Sequence, residues 1–122
     1  MVNPNVGTIG DLSSLTNVQV ETLKIHLLVV KGEINMDIAL KTRRNSGVSR
    51  GTHYRILAQA RKNIRESLFT VATVVQLGLV KPEDVQKLIV MMSSIPLDAD
   101  RDKLEEAMVV AKALADRIVM QR

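Results

Sequence analysis

From Thr16 onward apolar positions recur every three or four residues, the period of an α-helix, and polar punctuation cuts the run into five segments. Val20, Leu23, Leu27 and Val30 follow Thr16-Asn17-Val18-Gln19, whose spacing suits a capping box, and Gly32 supplies a C-terminal stop. The first helix is expected over about 17–31. Asn35 can cap a short second helix with Ile38, Ala39 and Leu40 turned inward, fading near Arg43 or Arg44, because Asn45-Ser46-Gly47 is turn chemistry. Ser49 can cap a long third helix, in which Ile56, Leu57, Ala60, Ile64, Leu68, Val71 and Val75 trace one apolar stripe as far as Gly78.

Pro82 suits the first turn of a fourth helix, where Glu83 and Asp84 complement the positive end of the dipole. Val85, Leu88, Ile89 and Met92 continue its apolar face until Ser93-Ser94-Ile95-Pro96 breaks it. Asp98 or Asp100 can cap a last helix to about Met120, with Leu104, Met108, Ala111, Leu114 and Ile118 on one side. No segment alternates as a strand would. The fold expected is all-α, with five helices, a helix-turn-helix-like N-terminal half and a C-terminal helical pair.

Residues 1–15 hold Pro4, Gly7, Gly10, Ser13 and Ser14 with little periodicity, and read as a flexible N-terminal arm before a single helical domain over 16–122. At 122 residues the chain is long enough for one continuous core without staples. It has no cysteine, which excludes disulfides, thiolate metal sites and a Cys nucleophile, and fits a reducing compartment. The first fifteen residues lack the basic start and apolar run of a signal peptide, and no apolar stretch approaches the ~20 residues of a membrane span. A cytoplasmic protein without membrane contact is expected. Tyr54 and Phe69 are the only aromatics, too few for folds that stack bases on several rings.

Charge changes this picture. Eight of the seventeen basic residues fall between Lys41 and Arg65 with no acidic residue among them, while the rest of the chain carries nine basic and thirteen acidic side chains. Such crowding is self-repulsive, and a polyanion relieves it. At 100° per residue, Arg55, Arg61, Lys62 and Arg65 share an arc of roughly 120° away from the apolar stripe.

The run Gly47-Val48-Ser49-Arg50-Gly51-Thr52-His53-Tyr54-Arg55-Ile56-Leu57 resembles the turn and recognition helix of helix-turn-helix DNA-binding domains of the resolvase and invertase type. Asp37-Ile38-Ala39 looks like the start of the first helix of that motif, and the resemblance covers about residues 33–65. The sequence departs from the family in two places. Ala39 and Gly47 are eight residues apart, about twice the family's spacing, and His53 stands where the family has an apolar residue.

The resemblance implies duplex DNA as the ligand, with Ser49, Arg50, Thr52 and Arg55 near base edges or phosphates. Arg61, Lys62 and Arg65 would clamp phosphates, and Arg43 and Arg44 would approach from the turn. His53, on the apolar side of the wheel, is expected to be a core histidine bonded to a neighbour.

Catalysis finds little support. His26 and His53 lie on different elements without metal-ligand spacing, and Asp98, Asp100 and Asp102 lack the glycine and final glutamate of a Ca²⁺ loop. No phosphate-binding Gly-Lys-Ser or Gly-Lys-Thr follows Gly47 or Gly51. No enzyme, cofactor or metal is therefore expected.

In the C-terminal half, Val90, Met91, Met92, Met108, Val109, Val110, Ile118, Val119 and Met120 exceed one stripe per helix. Residues 67–122 are accordingly expected to form a homodimer beside a helix-turn-helix region at 33–66. Two functions fit: a small dimeric transcription regulator or nucleoid-associated protein, or a helical adaptor whose basic face meets an acidic protein or structured RNA.

Overall fold

The computed structural model describes residues 12–43, 48–96 and 98–120, which form five α-helices and contain no strand. They are α1 (Asn17–Val30), α2 (Met36–Thr42), α3 (Arg50–Gln76), α4 (Pro82–Ser93) and α5 (Arg101–Met120). The all-α architecture read from the periodicity is the architecture observed.

Local chemistry sets the helix ends. The Thr16 hydroxyl accepts from the Gln19 N–H at 3.1 Å, and Gln19 Oε1 accepts from the Thr16 N–H at 3.1 Å, which completes the capping box. Asn35 Oδ1 accepts from the Ile38 N–H at 2.9 Å, and Ser49 Oγ accepts from the Thr52 N–H at 3.1 Å. Of the two aspartates that could cap α5, Asp100 does so, accepting from the Lys103 N–H at 2.9 Å. Beyond α1 and α3 the chain turns through Gly32 (φ 76°) and Gly78 (φ 80°). At both, the next residue's N–H reaches five residues back, Glu33 to Leu28 and Leu79 to Val74, the bond of a Schellman stop that only glycine makes without strain.

The chain divides into two compact units. The first spans Ser14–Glu66 and holds α1, α2 and the opening turns of α3. Its interior is Ile25, Ala39, Leu57 and Ala60 together with three buried polar residues, Thr22, Arg43 and His53. Ser14, expected in the flexible arm, is tied to α3: its hydroxyl donates to Asn63 Oδ1 and its carbonyl accepts from Asn63 Nδ2, each at 2.8 Å. The second unit contains the end of α3, α4 and α5, and there α4 and α5 pack on each other. Its buried apolar residues are Val80, Ala111 and Ile118.

The structure corrects which faces turn inward. On α1 the buried positions are Thr22 and Ile25, whereas Leu27 and Val30 are exposed. The phase shifts because Thr22 Oγ1 meets a buried donor that an apolar side chain could not serve. Ile38, expected inside, is exposed beside the fully buried Ala39. The α3 stripe is buried through Ala60 and then surfaces at Ile64, Leu68 and Val71. Met91, Met92 and Met108 are half-buried within the second unit, and Val90, Val109, Val110, Val119 and Met120 remain exposed.

Candidate nucleic-acid interface

The opening turns of α3 have two sides. His53, Leu57 and Ala60, at i, i+4 and i+7, face the first unit's interior. Opposite them Gly51, Arg55, Ala58, Gln59 and Lys62 are exposed, and Arg50, Arg61 and Arg65 are exposed along the flank. The unit that carries this face has ten basic and four acidic side chains over residues 14–66, a net of +6.

The cations are held differently. Arg50 Nη2 lies 3.0 Å from Asp37 Oδ1 on α2, an exposed pair that joins the start of α3 to the start of α2. Arg61 Nη2 donates to His26 Nε2 at 3.2 Å, so α1 steadies its guanidinium. Lys62 approaches Glu66 one turn on at 3.9 Å. Arg55 and Arg65 have no ion-pair or hydrogen-bond partner among the described residues. At the N-terminus of α3, Ser49 Oγ donates to Thr52 Oγ1 at 3.1 Å, which places both hydroxyls beside Arg50.

Arg43 must be withdrawn from this surface. It is 4 % exposed, and Nη1 donates to Thr22 Oγ1 at 2.8 Å and to His53 Nδ1 at 3.1 Å, while Nε lies 3.7 Å from Glu21 Oε1. A guanidinium only donates, so His53 Nδ1 accepts and the proton of the neutral ring sits on Nε2. The Thr22 hydroxyl in turn donates to the Val18 carbonyl at 2.8 Å. Arg43 thus joins α1, the end of α2 and α3 from inside and has no reach toward a phosphate. His53 is fully buried, as its place on the stripe implied. Burial first, then the Arg43 guanidinium and more weakly His26, lower its pKa below the ordinary 6.5. Arg44 and the Asn45-Ser46-Gly47 turn lie outside the described residues.

Three further residues of this face escape the sequence pattern: Asp37, Tyr54 and Gly51. Asp37 belongs to the motif only as part of a helix start, although its charge at the beginning of α2 is a visible signal for an arginine partner. Tyr54 is about half exposed beside Arg55, so one of the chain's two aromatics stands on the basic side. Gly51 is the second residue of α3, and a Cβ there would meet nothing closer than Ser49 Oγ at 3.9 Å. Packing within the chain therefore gives no reason for the missing side chain.

No protein-family model matches the chain, and no curated protein or solved structure was found to match it. Among the described residues no group of three or more His, Asp or Glu side chains could hold a metal ion, and no helix is long and apolar enough to cross a membrane.

Proposed function

We propose that this chain is a small DNA-binding protein of helix-turn-helix type, a dimeric transcription regulator or nucleoid-associated protein that acts without enzymatic chemistry. The observation that carries the reading is the outward side of α3, where Arg50, Arg55, Arg61, Lys62 and Arg65 are all exposed while His53, Leu57 and Ala60 anchor the helix from behind. A recognition helix needs this division, because one side must pack while the other enters a groove. Arg50 and Arg55 near the N-terminus are placed to meet base edges, with Ser49 and Thr52 on adjacent phosphates. Arg61, Lys62 and Arg65, farther along, serve the backbone, and the second unit pairs two such helices.

The test is duplex binding from a randomised pool across a salt series. Three phosphate-neutralising cations per bound unit, Arg61, Lys62 and Arg65, give a slope of log affinity on log salt of about −3. Arg55→Ala is expected to weaken the enriched sequence more than random DNA, and Lys62→Ala to weaken both alike. Flat salt dependence, or no retention at low salt, would remove DNA as the ligand and leave an acidic protein or structured RNA for the basic side.

Gly51 supplies a second check. Glycine in a helix costs about 0.5–1 kcal/mol relative to alanine, and bare backbone here serves close approach to a ligand. Gly51→Ala is expected to raise the melting temperature of the protein while lowering duplex affinity several-fold. A stabilised variant with unchanged affinity would place Gly51 away from the DNA.

A further inference from the structure

We infer that the uncharged half of α3, from Ser67 to Leu77, is the seam along which a second copy of this chain packs. The inference rests on the dimeric reading above and assigns its interface to the helix that also carries the basic side. Leu68, Phe69 and Leu77 are 66, 67 and 75 % exposed, and Val71 is exposed between them. A helix this apolar, standing in water on several sides, is the pattern of a helix that is covered in its working state.

The second unit fully buries few apolar side chains and leaves many in solvent. Its described buried apolar residues are Val80, Ala111 and Ile118, whereas eleven large apolar side chains over the same stretch, from Leu68 to Met120, lie in solvent. A folded unit of this size normally removes most of its apolar surface from water. A cover that is present whenever the chain folds, and in matching amount, is what a second copy supplies.

The charge pattern favours the same occupant. No Asp, Glu, Lys or Arg occurs between Ser67 and Val80, so two copies of this face meet without like-charge repulsion, as a two-fold interface requires. The basic stretch of α3 ends at Arg65, just before the seam begins, and its charges would oppose pairing of the first unit with itself. Residues 67–122 as a whole carry seven basic and eight acidic side chains, close to neutral.

The experiment uses the full chain without DNA. Sedimentation equilibrium from low to high micromolar concentration is expected to give twice the 13.5 kDa chain mass. Leu68→Asp removes little packing within one chain, because the side chain is 66 % exposed there, yet it buries a charge in the seam. It is expected to raise the dimer dissociation constant roughly a hundredfold or more. The chain is free of cysteine, so Leu68→Cys reports directly. Mild oxidation is expected to link it into a covalent dimer, whereas Gln86→Cys, at an exposed position of α4, stays single.

A wild-type chain that remains monomeric throughout would overturn the inference and give the face to a different protein. A dimer indifferent to Leu68→Asp and not linked through Leu68→Cys would overturn the seam alone. A monomer would also remove the dimer from the proposed function, but DNA binding itself stands or falls on the salt series.

Discussion

Arg43→Ala is expected to destabilise the Ser14–Glu66 unit by about 3–5 kcal/mol, a large part of what holds a unit of this size folded. The side chain is buried, and one of its nitrogens serves both Thr22 Oγ1 and His53 Nδ1. Truncation strands both acceptors in a site with no solvent to replace the donor, and the Arg43–Glu21 ion pair is lost. It also opens a cavity between α1 and α3. Arg43→Lys keeps the charge but not the planar fork, so it is expected to recover only part of the stability. Urea unfolding followed by circular dichroism measures both. A shift below about 1 kcal/mol for Arg43→Ala would mean that the network is not a source of stability. The same variants distinguish a buried strut from a phosphate ligand. If Arg43 neutralised a phosphate, its removal would flatten the salt slope of DNA binding by about one unit. The buried position predicts an unchanged slope for the folded fraction of Arg43→Lys.

The contrast between Arg43 and its neighbours shows where a single sequence is informative. Helix ends are legible because their causes lie within a few residues. Thr16 and Gln19 satisfy each other, Asn35 and Ser49 reach N–H groups three positions on, and Gly32 and Gly78 take up the positive φ that ends a helix. The inward side of α3 is legible as far as Ala60 because His53, Leu57 and Ala60 pack on one unit at regular spacing. Beyond Ala60 the same spacing continues, but the face is bare within the chain. Periodicity states that a face is apolar without stating what covers it.

Arg43 is illegible for a related reason. Within Lys41 to Arg65 it is one of eight like charges, and its burial depends on Thr22, 21 residues upstream, and His53, ten downstream. Thr22 is the other half of that signal. A threonine amid Val20, Leu23 and Ile25 reads as the solvent side of α1 until a buried donor is placed opposite it. Polar networks inside a small core are set by pairs distant in sequence, so they are the part of this site that local pattern conceals.

Acid exposes the same network from its other end. His53 is neutral because Nδ1 must accept from a guanidinium that never gives up its charge, and burial pushes its pKa below the ordinary 6.5. In the unfolded chain His53 takes up a proton as pH falls through about 6.5, and in the folded chain it does not until lower pH. Stability from this site is therefore complete above about pH 6.5 and is lost on acidification down to the depressed folded value. The groups around the ring give no relief. Arg43 and, more weakly, His26 act on it as positive charges, Tyr54 packs against it at 81° to its plane, and the Glu21 carboxylate lies against Arg43 Nε. The expected result is a melting temperature that falls between pH 7 and 5. His53→Gln offers an amide oxygen to Arg43 without a titrating proton. With His26 present in both proteins, that variant should show a markedly flatter profile over this window. Equal slopes for wild type and His53→Gln would place the acid sensitivity elsewhere in the chain.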